Sequence, residues 1–154
     1  MKFLIRKIRQ KKNLILSYDE VKDNSVFTTF KNVEYLEKPQ QEFSDCLQEL
    51  SGFIAEINQL NKLDENYITV QGLTLIYTAT HLRGCTITGY MPINLSLSPK
   101  IETTPLIIFD ETTDTEKGKI LKEKLKDKIL NICELASKFI DGDRQQPEQL
   151  KLGI

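Results

Sequence analysis

The stretch VFTTFKNVEYLEKPQQEFSDCLQELSGFIAEINQL, residues 26–60, contains the change of period that decides the fold. Its first residues, from Val26 to Phe30, are β-branched and aromatic, the composition of a strand. Pro39 then breaks the chain, and Phe43, Cys46, Leu47, Leu50, Phe53, Ile54, Ile57 and Leu60 recur at spacings of three and four. That spacing predicts one amphipathic helix over about 40–60. Gly52 lies inside it at a cost of roughly 1 kcal/mol relative to Ala, which a close approach by another backbone would explain.

Toward the N-terminus, Phe3-Leu4-Ile5 continued by Ile8, and the alternating Leu14, Leu16 and Tyr18, predict two more strands. Polar turns at 10–13 and at Lys22-Asp23-Asn24 separate them, which describes an antiparallel meander with one wet face. Toward the C-terminus, Ile68, Val70, Leu73, Leu75 and Tyr77 lie on one apolar run, and residues 86–97 make another. Thr80-His81-Leu82-Arg83-Gly84 between them reads as a hairpin turn in which Gly84 supplies a positive φ. Gly72 and Gly89 suggest bulges, and Pro99, Thr103-Thr104 and Pro105 mark a loop.

Thr113-Asp114-Thr115-Glu116 matches a capping box. The helix it opens carries Ile120, Leu121, Leu125, Ile129, Ile132, Cys133, Ala136, Phe139 and Ile140, and Gly142 stops it. The sequence therefore predicts an α+β fold. Its antiparallel sheet has about five strands in the order β-β-β-α-β-β-α, with two helices packed on one face. One domain over 1–142 and a polar tail over 143–154 complete the expectation.

Charge limits the partners. With 21 basic and 22 acidic residues the chain has a formal net charge of −1, so any polyanion site must be a local patch. No run reaches the ~18 apolar residues of a membrane span, and the short apolar opening does not read as a signal peptide. A cytoplasmic protein without a membrane partner is expected. Cys46, Cys85 and Cys133 form no CxxC pair and read as reduced core residues, with a reactive thiol as the alternative.

Three groups of residues are candidates for function. His81 and Arg83 lie on the predicted turn; they are either exposed turn residues or ligand contacts, the Arg fork suiting carboxylate or phosphate. Thr103 and Thr104 are either a plain connection or hydroxyls lining a small-molecule pocket. The basic run of Lys2, Arg6, Lys7, Arg9, Lys11 and Lys12 is either the wet face of an edge strand or a track for a phosphate backbone. Only Phe3 stands close enough to that run to act as a stacking platform. The lysines over 117–128 read as a solvated helix face, and Asp110, Glu111, Asp114 and Glu116 as carboxylates favoured at a helix N-terminus. No metal site, cofactor site or catalytic residue is expected. Nucleophile-elbow, P-loop, dinucleotide and zinc-protease motifs are absent from the sequence.

Glu37-Lys38-Pro39 leading to Phe43, the run Tyr67-Ile68-Thr69-Val70-Gln71-Gly72-Leu73-Thr74, Thr104-Pro105, and Phe139-Ile140-Asp141-Gly142-Asp143-Arg144-Gln145-Gln146 occur in that order. Together they resemble a family of small uncharacterised proteins of tailed bacteriophages and prophages. The chain departs from that pattern in its denser N-terminal cations and in the acidic approach to its last helix. The resemblance implies a viral origin and an accessory role and transfers no functional residue; the expected location is then the host bacterial cytoplasm.

The leading expectation is a homo-oligomeric counter-defence protein that binds without catalysis. It would sequester a small signalling molecule such as a nucleotide, or block a host protein, through Arg83, His81, Thr103 and Thr104. The alternative is a single-stranded-DNA accessory protein using Arg6, Lys7, Arg9, Lys11 and Lys12. A hydrolase centred on His81 is a third reading.

Overall fold

A computed structural model describes residues 3–23, 25–60, 62–93, 96–111 and 114–145. Three strands open the chain, β1 (Phe3–Gln10), β2 (Leu14–Lys22) and β3 (Ser25–Tyr35). Two short helices follow, α1 (Gln41–Gln48) and α2 (Ser51–Ile57), and then a 3-10 turn (Lys62–Tyr67). Four further strands, β4 (Thr69–Thr78), β5 (His81–Ile93), β6 (Ser96–Thr103) and β7 (Ile107–Ile108), lead into α3 (Glu116–Ile140). All seven strands form one sheet in the order β3-β2-β1-β4-β5-β6, with β7 paired to β5, and every pairing is antiparallel.

The α+β class and the antiparallel sheet agree with the sequence reading. The count of five strands does not. The run over 86–97 divides between β5 and β6, and Pro99, read as loop, lies within β6. An edge strand accommodates Pro because its missing N–H need not cost a ladder hydrogen bond. The hairpin turn also moves. Thr78 pairs with His81, so Ala79 and Thr80 form the loop, and Ala79 carries the positive φ of 53°. Gly84 serves a different purpose: a Cβ there would stand 2.4 Å from the Ile107 carbonyl oxygen. Its bareness is what lets β7 dock on β5.

The predicted single helix is two. The chain keeps a right-handed turn through Glu49 and Leu50, but the hydrogen-bond ladder is interrupted there. Leu50 is fully buried at the break, so the core continues across it. Gly52 is approached by the Glu65 side chain, whose Oε1 would lie 2.9 Å from an added Cβ, and not by a backbone. Gly89 faces the helices: its Cβ would meet Ile68 Cγ2 at 2.8 Å and Ile54 Cδ1 at 3.1 Å. A small residue at that point lets α2 close on β5.

The last helix starts at Thr115 and not at Thr113, which lies outside the described residues. Thr115 Oγ1 accepts from the Gly118 amide at 3.0 Å, so the cap is a single hydroxyl without a reciprocal glutamate. The stop is as expected. Gly142 has φ 114°, its amide donates to Phe139, and Asp143 donates to Lys138, the two bonds of a Schellman motif. Of the predicted tail, the described residues 143–145 are attached to the domain. Gln145 N donates to Lys38 O at 2.9 Å, and Arg144 lies over the rings of Tyr35 and Phe139 with its guanidinium 3.3 Å from Glu37.

One apolar cluster unites the inner face of the sheet (Ile5, Ile8, Leu14, Leu16, Leu73, Leu75, Ile87) with Phe43, Leu47, Leu50 and Ile54 and with Leu125, Ile129, Ile132 and Phe139. The helices therefore cover one face, and the periodicity of two assigns the intervening residues to the other. Among the described residues no helix is long and apolar enough to cross a membrane.

Candidate functional site

His81 and Arg83 stand at the beginning of β5, where both are exposed. His81 Nε2 lies 3.8 Å from Asp110 Oδ2, beyond hydrogen-bond length. Among the described residues His81 makes no hydrogen bond to a hydroxyl or thiol. The Arg83 carbonyl accepts from the Phe109 amide at 2.9 Å, which fixes the turn after β7 to the same corner.

Thr103 and Thr104 are elsewhere and point in opposite directions. Thr104 is buried, its Oγ1 accepting from the Ile87 amide at 3.0 Å and its own amide donating to the Ile87 carbonyl at 2.9 Å. It extends the β5–β6 ladder beyond the end of β6, so its hydroxyl is engaged in the fold. Thr103 is exposed, pairs with Thr88, and has its Oγ1 3.4 Å from the Thr88 hydroxyl. Thr88 follows Arg83 by five positions along β5, roughly 16 Å at strand rise. These four residues are not brought into one site.

The basic run fares differently. Arg6 is consumed: its Nε donates to Asp19 Oδ2 at 2.5 Å, and Asp19 is buried. Its guanidinium also lies 5.6 Å from the centre of the Tyr77 ring. Lys7 and Arg9 alternate with the buried Ile8, so both project from the sheet face opposite the helices. Lys11 and Lys12 continue the run in the β1–β2 turn and are exposed. Lys2 lies outside the described residues. Among the described residues Lys7, Arg9, Lys11 and Lys12 have no carboxylate partner.

Register shows what surrounds them. Lys7 pairs with Thr74, and Thr74 with Thr86. Arg9 pairs with Gly72, Gly72 with Thr88, and Thr88 with Thr103. Thr69 pairs with Tyr90, and Tyr90 with Ile101. Paired residues share a face, so rows of hydroxyls and one aromatic–aliphatic row run across β4, β5 and β6 beside the cations. At Gly72 a Cβ would stand 3.3 Å from the Ile8 carbonyl oxygen and 4.0 Å from Arg9 Cγ, so β1 and β4 approach closely there.

Two shallow depressions lie on this face. One of about 270 Å³ is lined by Lys7, Arg9, Gly72, Thr74 and Thr88. The other, about 580 Å³, is bordered by Gln10, Lys11, Lys12, Gln71, Tyr90 and Ile101. At its rim the side-chain oxygen of Gln10 is buried without a hydrogen-bond partner. The arrangement combines point charges for phosphate, a flat ring and aliphatic surface for stacking, and hydroxyl and amide groups for polar edges.

Sequence reasoning found the cations but missed Tyr90, Thr88, Thr74 and Gln71. Tyr90 is 78 residues or more from the basic run, and only the β1–β4–β5 register puts them side by side. Outward alternation in each strand was available as a signal; strand order was not.

The three buried cysteine thiols lie away from this face and are held neutral. Burial pushes the Cys85 and Cys133 thiols up to about 12, and raises Cys46 as well. Burial also raises Tyr77, whose hydroxyl donates to the Ile5 carbonyl at 2.7 Å. The acidic approach to α3 converges on Lys122, whose Nζ lies 2.7 Å from Asp114 and 3.6 Å from Glu111. Among the described residues no three His, Cys, Asp or Glu side chains are grouped to hold a metal. Comparison with known protein families, curated proteins and solved structures found no match.

Proposed function

We propose that this protein binds single-stranded nucleic acid on the open face of its sheet and acts by binding, not by catalysis. The observation that carries this reading is the set of four cations, Lys7, Arg9, Lys11 and Lys12, without carboxylate partners among the described residues, beside Tyr90. A phosphate backbone would follow β1 and its turn, and a base would lie on the Tyr90–Ile101 row. Stacking of this kind contributes roughly 1–3 kcal/mol per base and tolerates any sequence. The near-neutral charge of the whole chain restricts the attraction to this patch.

An accessory role in phage replication or recombination accords with the phage resemblance. Sequestration of a small nucleotide through Arg83, His81, Thr103 and Thr104 has less support, because those residues stand apart and Thr104 is engaged in the ladder. Fluorescence anisotropy with labelled oligonucleotides tests the proposal. Arg9→Glu combined with Lys11→Glu and Lys12→Glu should abolish binding, and Tyr90→Ala should weaken it by about 5- to 150-fold. Unchanged affinity in the triple variant would refute it.

A further inference from the structure

The opposite side of the molecule carries a groove that none of this uses. It runs between α2 with the 3-10 turn on one side and the first half of α3 on the other, with a volume of about 670 Å³. A second depression of about 520 Å³ shares Gly52, Glu56, Glu65 and Lys117 with it, so the two are continuous. The walls have opposite charge. Glu56 and Glu65 stand on the α2 side; Lys117 and Lys124 stand on α3. Phe53, Ile120 and Leu121 form an apolar floor, and Ile120 is 53% exposed although it recurs at helical spacing with the buried residues of α3.

An ion pair between Lys128 and Glu49 joins the two walls at one position. Beyond it, none of Glu56, Glu65, Lys117 and Lys124 has an ion-pair partner among the described residues. Unpaired opposite charges on facing walls, with exposed aliphatic surface between them, make a surface complementary to its own image. We infer that this groove is the interface between two copies of the chain, related by a two-fold axis running along it. Rotation about that axis places the acidic wall of one copy over the basic wall of the other, twice, and encloses the two apolar floors between them. A two-fold axis across the groove would instead face acid with acid, so the charge pattern selects one orientation. The sheet faces then point outward on both sides of the dimer.

Sedimentation equilibrium at tens of micromolar should give twice the 17.8 kDa chain mass for the wild-type protein. Lys117→Glu with Lys124→Glu should give the single-chain mass, as should Glu56→Lys with Glu65→Lys. All four side chains are at the surface, and circular dichroism checks that both variants remain folded. Mixing the two variants should restore a one-to-one heterodimer in native mass spectrometry, because every facing wall is then oppositely charged. A monomeric wild type, a dimer indifferent to either double reversal, or variants that fail to recombine would each overturn the inference.

Discussion

Raising the salt concentration is the perturbation to which the sheet-face account is most exposed. Each cation that neutralises a phosphate of a single strand contributes about −0.7 to the slope of log affinity against log salt. Four cations, Lys7, Arg9, Lys11 and Lys12, face the proposed track, whereas Arg6 is bound to Asp19 and adds nothing. The slope should therefore be about −2.8, and binding should weaken roughly fifty-fold between 50 and 200 mM salt. Removing two of the four, with Lys7→Ala and Arg9→Ala, should halve the slope to about −1.4 and reduce the loss to roughly sevenfold. Anisotropy titrations of a labelled oligonucleotide at four or five salt concentrations measure both slopes. Lys138→Ala, an exposed cation on α3, serves as the control, and its slope should match the wild type. A wild-type slope near zero, or a double variant with the wild-type slope, would refute the assignment of these side chains to phosphates.

Three further outcomes follow from the same geometry. Thr104→Val should destabilise the fold by roughly 1–3 kcal/mol in urea unfolding, because it leaves the buried Ile87 amide without an acceptor; Thr103→Val, on the exposed face, should change stability little. Gly89→Ala should cost roughly 1–3 kcal/mol by the same assay, since its methyl would press on Ile68 and Ile54 where α2 meets β5. Hydrogen bonds from Lys100 and then Asn58 hold the Glu102 carboxyl below its usual range. Its contribution is thus fully present above about pH 4.3, the unfolded carboxylate value, and lost as pH falls through the lower folded value. Urea titrations across that acid range should show a weaker pH dependence in Glu102→Gln than in the wild type.

The class of the fold was legible because its elements have clear periods. Ile8, Leu14 and Leu16 alternate, while Phe43, Leu47 and Leu50 recur at helical spacing, and both sets lie in the core. Illegible were features decided by contacts between distant segments. Alternation and helical spacing alone did not divide the residues over 86–97 between two strands, nor show that Gly84 is bare to admit β7. The break at Leu50 was hidden because its side chain continues the apolar stripe through the interrupted ladder. The candidate site divides along the same line. Its cations adjoin one another in sequence and were visible as a run. Arg6 could not be separated from Lys7 and Arg9 without knowing that Asp19 is buried beside it. Tyr90 enters only through the strand order, which joins β1 to β4 and β4 to β5.

Backbone amide chemical shifts followed during titration with a short oligonucleotide test the central claim most directly. The account predicts that the largest shifts fall on Lys7, Arg9, Lys11, Lys12, Gln71, Thr88 and Tyr90, with α3 undisturbed. Shifts concentrated at His81, Arg83 and Asp110, or on α3, with the β1 and β5 amides unmoved, would contradict it.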